Sequence, residues 1–181
     1  MLVYVQSQNR QPLMPKDPIH LLIDYNYWGR DRILAAVAAI TQEQFLRPMG
    51  NSFGSIRDTL AHICGAESVW ITRLKGEAPM GLPASDRIPD LESLRREWAA
   101  LEAAMRDLLA GWTQESIERT IDYRDLRGNP QSDPVWQVIQ HLVNHCTYHR
   151  GQIVTLLRQM DAAPPASMDL ITFYRERNRM A

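Results

Sequence analysis

Residues 135–160 read VWQVIQHLVNHCTYHRGQIVTLLRQM, and this stretch decides the fold class. An α-helix turns by about 100° per residue, and on that wheel the apolar side chains lie within roughly 60° of one direction. These side chains are Val135, Val138, Leu142, Cys146, Ile153, Leu156 and Met160. The stretch therefore predicts a long amphipathic helix with one face in a core. Its start is placed at Asp133-Pro134, a capping residue followed by the residue best suited to a first helical turn.

Three further segments carry the same apolar pattern and predict three more helices. They run from Asp17 to about Ala39, from Ser55 to Leu74, and from Asp90 to about Trp112. Pro18 follows the Asp17 cap of the first, Ser55 and Asp58 form a capping-box pattern that opens the second, and Asp90 caps the third. Four amphipathic helices in 181 residues predict an all-α four-helix bundle, with residues 1–181 as a single domain.

Two connections between these helices break the helical pattern. The segment from Lys75 to Pro89 is rich in glycine and proline, which predicts a surface crossing loop. Between Trp112 and Pro134, a turn signal at residues 128–130 follows Ile121 and Tyr123, which predicts a short two-stranded excursion before the last helix. The basic tail from residue 167 to 181 receives no assignment.

Composition excludes several classes of function. The chain has 20 basic and 21 acidic residues, so no field of one sign is expected to attract nucleic acid or an acidic membrane surface. No apolar run approaches the roughly 20 residues of a membrane helix, and residues 1–15 lack the pattern of a signal peptide. We therefore expect a cytoplasmic protein. Cys64 and Cys146, each within a helical pattern, are expected to be reduced.

Histidines provide the chemistry that the sequence offers. His141, His145 and His149 are spaced by four residues and lie about 120°, 80° and 40° from the centre of the apolar face. Two imidazoles one turn apart rise about 6 Å along the axis, which lets His145 and His149 converge on one ion at roughly 2.0–2.1 Å. His141 and His149 are about twice as far apart. We therefore expect His141 to flank the site without binding the ion.

A third ligand would have to come from another helix, as in metal sites built inside helical bundles. His62 is the candidate, since it lies at the flank of the apolar face of its helix, a position that permits ligation without requiring it. Three neutral histidines suit zinc or nickel, or another first-row divalent ion such as iron or manganese, and leave positions open for water or substrate. The alternative is that each histidine is a hydrogen-bonded structural residue.

Other residues near the histidines have structural interpretations. Asp58 is read as the capping-box partner of Ser55, and Cys146 as core packing. Three aromatic residues, Tyr25, Trp28 and Trp70, are also read as core. No Ser-His-Asp set, P-loop, dinucleotide fingerprint or HExxH motif is present, so no catalytic residue is assigned.

Three segments together resemble the DinB/YfiT-like metalloenzyme family: HLVNHCTYHRGQI at 141–153, SIRDTLAHI at 55–63 and DYNYWGRDRIL at 24–34. The resemblance covers most of the chain, and its HxxxHRGQ ending is the most specific part. It implies an up-down-down-up four-helix bundle, usually dimeric, with one divalent metal held by His62, His145 and His149. It does not imply DNA synthesis.

The resemblance also implies relatives that act as thiol-dependent transferases or isomerases. We therefore expect a divalent-metal-binding enzyme of that type, or one with hydrolase-like activity, that acts on a small molecule with a low-molecular-weight thiol as partner. At the metal, the pKa of a bound thiol or water would fall. One alternative is a stress-related metal-binding protein without turnover. A second is a purely structural bundle that needs no metal.

Overall fold

The structure, a computed structural model, describes residues 18–180 and is mainly helical. Its helices are α1 Pro18–Val37, α2 Gln42–Leu46, α3 Ile56–Leu74, α4 Leu91–Ala110, α5 Gln114–Glu118, α6 Val135–Gln159 and α7 Leu170–Met180. Two strands, β1 Thr120–Arg124 and β2 Pro130–Pro134, form an antiparallel hairpin between α5 and α6. The predicted fold class, four long helices with a two-stranded excursion before the last one, is confirmed.

Contacts between the long helices give their directions. Arg30 and Asp24 of α1 pair with Glu102 and Arg106 of α4, so these two helices are antiparallel. Arg57, at the start of α3, donates to the carbonyl of Ile88, three residues before α4 begins, and Glu67 further along α3 accepts a hydrogen bond from Trp98 of α4. The two helices therefore run in the same direction. Contacts of α3 with α6 proceed in opposite chain order, from the His62–His145 pair to the Trp70–His141 pair. The topology is therefore up-down-down-up.

The starts of the long helices test the predicted caps. The Ser55 hydroxyl accepts a hydrogen bond from the backbone N–H of Asp58, and the carboxylate of Asp90 accepts one from Ser93, as those patterns predict. The cap assigned to Asp133 is wrong. Asp133 belongs to β2, and its carboxylate accepts a hydrogen bond from the Tyr123 hydroxyl at 2.6 Å. The predicted cap at Asp17 lies outside the described residues.

The crossing loop between α3 and α4 follows from the parallel direction of these helices, because the chain must return along the bundle. Residues 75–90 contain one short 3₁₀ turn, Ser85–Arg87, and no other regular structure. Gly76, with φ of +81°, ends α3 in the left-handed conformation that glycine adopts without strain. None of the helices in residues 18–180 combines the length and apolar character needed to cross a membrane.

One carboxylate lies fully inside the bundle. Glu67 has no exposed surface, and it accepts hydrogen bonds from the Tyr27 hydroxyl at 2.6 Å and the Trp98 indole at 2.8 Å. Burial raises the pKa of Glu67 above its ordinary value, against the opposing effect of these two donors. Through these two hydrogen bonds, Glu67 joins α1, α3 and α4 in a buried polar network.

Cys64 and Cys146 are buried free thiols, as predicted.

Helix α7, which the sequence did not predict, packs against α1. Phe173 contacts the rings of Tyr25 and Trp28, and the indole N–H of Trp28 donates to Glu176 at 3.0 Å. Tyr25 is buried, in agreement with its assignment to the core, whereas Trp28 is half-buried beneath α7.

Candidate metal centre

Three histidines from two helices meet in the structure. His62 Nε2 of α3 lies 3.0 Å from His145 Nε2 of α6, which in turn lies 3.1 Å from His149 Nε2. All three nitrogens fall within 4.8 Å of one another, and no other group of three histidine, cysteine or acidic residues within residues 18–180 gathers in this way. We call His62, His145 and His149 the three-histidine cluster.

Helix geometry explains which histidines join the cluster. On α6, His149 is 7% exposed, His145 is half-buried and His141 is exposed, which follows the order of their predicted angles from the core face. The ring of His141 lies 6.0 Å from that of His145 and 5.4 Å from that of Trp70. His141 therefore flanks the cluster on the side toward the N-terminus of α6.

Gln152 fixes the proton of one imidazole. It follows His149 by three residues on α6, and its side-chain oxygen lies 2.8 Å from His149 Nδ1. An amide oxygen only accepts hydrogen bonds, so Nδ1 carries the proton and Nε2 keeps its lone pair for the cluster. Sequence reasoning quoted Gln152 within HRGQ without giving it a role, although the spacing of three on a helix signals a contact with His149.

The cluster favours neutral imidazoles. Burial lowers the pKa of His62 to about 4, with a further contribution from the nearby His149. Burial lowers the pKa of His145 to about 3, with further contributions from His149, His62 and the flanking His141. Both rings are therefore neutral at neutral pH, which is the state in which imidazole binds a metal ion.

The donor set fits a divalent metal ion. A neutral imidazole has one proton, so three nitrogens that face one another cannot all be satisfied by mutual hydrogen bonds, whereas one cation would accept all three lone pairs. Tetrahedral ligands at 2.0–2.1 Å lie about 3.3 Å apart, slightly more than the 3.0 and 3.1 Å found here. His145 departs from the usual pattern, because its buried Nδ1 has no hydrogen-bond partner within the described residues.

Aromatic rings surround the cluster. Phe53, from the loop before α3, stacks on His62 with ring centroids 4.1 Å apart and meets His149 edge-on at 5.1 Å. Tyr148, the residue before His149, is 65% exposed, and its ring meets that of His149 edge-on with centroids 5.0 Å apart. Because imidazole pKa and metal affinity both depend on solvent access, these rings shape the environment of the cluster.

Trp70 packs against the core and also lines a cavity. It is half-buried, and with Tyr123 and His141 it forms part of the wall of a cavity of about 260 Å³. Its assignment to the core is therefore confirmed in part. The hairpin β1–β2 brings Tyr123 to Trp70, and sequence patterns of single helices contain no information about that contact. The capping box predicted for Ser55 and Asp58 forms in part: the backbone N–H of Asp58 donates to the Ser55 hydroxyl, but the Asp58 carboxylate accepts from that hydroxyl and not from the Ser55 backbone N–H. Cys146 is fully buried in the core, as predicted.

Comparisons with known proteins identify the family of the chain and agree with the fold. A sequence profile of the DinB family matches residues 9–179. The protein DinB of Bacillus subtilis is 26% identical over 163 residues, which cover 84% of this chain and 92% of that protein.

Several solved structures are similar in fold, among them the two described here. YfiT of Bacillus subtilis, described as a probable metal-dependent hydrolase with an unusual four-helix bundle topology, has a TM-score of 0.62 at 15% identity, covering 87% of this chain and 95% of that one. A mycothiol-dependent maleylpyruvate isomerase has a TM-score of 0.52 at 13% identity, covering 78% of this chain and 66% of that one. At these identities the likeness shows the shared bundle.

Proposed function

The chain belongs to the DinB family, and on this premise we propose that it is a metal-dependent enzyme whose divalent ion is held by His62, His145 and His149. The observation that carries the proposal is the convergence of three imidazole nitrogens from α3 and α6. No carboxylate of residues 18–180 joins them, so the ligand chemistry favours zinc or nickel among first-row ions. Three protein ligands leave a position free for a small molecule.

We propose a thiol-dependent transferase or isomerase reaction, or a hydrolysis, on a small-molecule substrate. When bound, a divalent ion supplies a Lewis acid that lowers the pKa of a coordinated thiol or water. The residues of the chain orient this centre: Gln152 keeps the proton of His149 on Nδ1, and Phe53 shields the ring of His62 from water. The isomerase of similar fold depends on mycothiol, which supports a low-molecular-weight thiol as partner.

Metal content tests the site. Protein purified without a histidine tag or chelator should contain about one divalent ion per chain, measured by elemental analysis. Alanine at His62, His145 or His149 should remove the ion. His20 on α1 provides a matched control, because it lies outside the cluster. An ion-free protein that takes up no zinc or nickel on titration would contradict the proposal.

Activity tests the reaction. Metal-loaded protein is incubated with a panel of low-molecular-weight thiols and electrophiles, and with ester and amide substrates, and thiol or product is measured over time. We expect turnover that stops after chelation and returns with the ion. Stoichiometric metal without turnover in any of these assays would favour the alternative of a binding protein.

A further inference from the structure

A wide open groove lies outside the three-histidine cluster. It has a volume of about 940 Å³ and is formed between residues 76–81 of the crossing loop and the β1–β2 hairpin. Arg73, in the last turn of α3, lines this groove and also a smaller one beside Trp70. The groove thus has a cationic side chain at its inner wall.

Arg73 is an unusually placed cation. It is 6% exposed, and its Cζ lies 4.6 Å from the ring centroids of both Trp70 and Tyr123. Nη2 donates to the carbonyl of Arg124 at 2.8 Å, but the buried Nε has no hydrogen-bond partner within residues 18–180. No carboxylate of these residues comes within 4 Å of the guanidinium. A buried charge with an unsatisfied donor is costly, and a ligand that accepts from it would remove that cost.

Two acidic residues that line the groove, Asp122 and Asp125, accept hydrogen bonds within the hairpin. Asp125 accepts hydrogen bonds from the backbone N–H groups of Arg127 and Asn129 and from the Asn129 amide, and Asp122 accepts one from Ser132. Glu77 is exposed on the loop. These carboxylates place negative charge near Arg73 without forming an ion pair with it, so a singly charged ligand group suits the groove better than a dianion.

We propose that Arg73 binds the carboxylate of a small organic acid in this groove. A carboxylate is planar, carries one negative charge and accepts two parallel hydrogen bonds from a guanidinium edge, which a tetrahedral phosphate dianion beside Asp125 does less favourably. The rings of Trp70 and Tyr123 provide apolar surface for the carbon skeleton next to that carboxylate.

The groove lies on the side of the bundle that carries the three-histidine cluster. From Arg73, the Trp70 ring leads to that of His141 at 5.4 Å, and His141 leads to His145 at 6.0 Å. The carboxylate site is nevertheless separate from the cluster. It does not require a bound metal, so its test is independent of the proposed function.

The experiment reads the Nε–H group of Arg73 directly. A ¹H–¹⁵N spectrum resolves arginine Nε–H signals, and the Arg73 signal is assigned by triple-resonance spectra and by its loss in Arg73→Lys. Butyrate, which carries one negative charge, is titrated into the protein as purified, with butyramide as the neutral probe and inorganic phosphate as the competing anion. We expect the Arg73 signal to shift and saturate with butyrate and to stay in place with butyramide.

Calorimetric titration with butyrate adds a measure of affinity. Arg73→Lys should bind at least tenfold more weakly than the unmodified protein, because an ammonium lacks the planar edge. Arg95→Lys, on the exposed face of α4, should bind like the unmodified protein. An unmoved Arg73 signal at roughly 10 mM butyrate, equal shifts with butyramide, or tighter binding of phosphate would each overturn the proposal. The spectra of the unmodified protein decide this even if Arg73→Lys is unstable.

Discussion

The side-chain amide of Gln152 should set how tightly the three-histidine cluster binds a divalent ion. Its oxygen accepts the Nδ1 proton of His149 over 2.8 Å in a half-buried position. Gln152→Leu keeps a similar shape but leaves that N–H without a partner, which costs about 1–3 kcal/mol. Since about 1.4 kcal/mol corresponds to a factor of ten, we expect metal affinity to fall by roughly 10- to 100-fold.

The assay is competition with a chromophoric chelator at neutral pH, with zinc as the ion. Gln159→Leu is the matched control, because Gln159 is exposed near the end of the same helix, away from the cluster. Gln152→Glu provides a second comparison. A carboxylate accepts the same proton more strongly, so this variant should bind zinc at least as tightly as the unmodified protein.

Two results would refute this reasoning. Equal affinities of Gln152→Leu and Gln159→Leu would show that the hydrogen bond has no influence on the cluster. A Gln152→Glu variant as weak as Gln152→Leu would show that the shape of the glutamine, and not its accepting oxygen, is what His149 requires.

Four further predictions concern the histidines, the buried carboxylate and the assembly. His141→Ala should retain zinc better than His149→Ala in the same chelator assay, and the reverse order would place the ligands one turn earlier. Glu67→Leu strands two buried donors and should lower the free energy of unfolding in urea by roughly 2–5 kcal/mol, whereas Glu67→Gln, which can still pair with both, should lose less than about 1.5 kcal/mol. In chelator-treated protein the pKa values of His62 (about 4) and His145 (about 3) are lowered, so the unfolded chain binds more protons than the folded chain below about pH 6.5. The urea concentration at the unfolding midpoint should therefore decrease as the pH is lowered from about 6.5 to about 4, and a constant midpoint would contradict this. Light scattering should give twice the 20.8 kDa of one chain if the protein is a homodimer, as the resemblance implies, and a value of 20.8 kDa would exclude it.

The long helices were predictable, because the periodicity that indicates each of them lies within its own sequence. The four long helices each bury a stripe of apolar residues, and this periodicity survives in the sequence whatever the neighbours are. Helix α7 was not predicted, because it buries one side chain, Phe173, and is held on α1 largely by polar contacts such as that of Trp28 with Glu176. The Asp133 cap was wrong because the hydroxyl of Tyr123 takes its carboxylate.

The residues of the candidate site were likewise predictable only where their contacts lie within one helix. The spacing of His145 and His149 fixes their relation on one helix, and the position of Gln152 one turn later could have been read in the same way. Phe53 and Arg73 could not have been found, since their contacts depend on where a loop and a hairpin lie against α3. Periodicity describes a helix surface and says nothing about what covers it.

The crossing loop should tolerate changes of length and sequence that the helices would not. The span of α3 is about 28 Å, whereas residues 75–90 would reach about 50 Å if fully extended, so the return along the bundle leaves slack. Doubling the length of a flexible loop costs only about 0.6 kcal/mol. Insertions and substitutions at residues 76–81 can therefore remodel the outer wall of the Arg73 groove while the helices that carry His62 and His149 keep their packing. Exchange of this loop should therefore change which small acids the proposed Arg73 site accepts at little cost to stability.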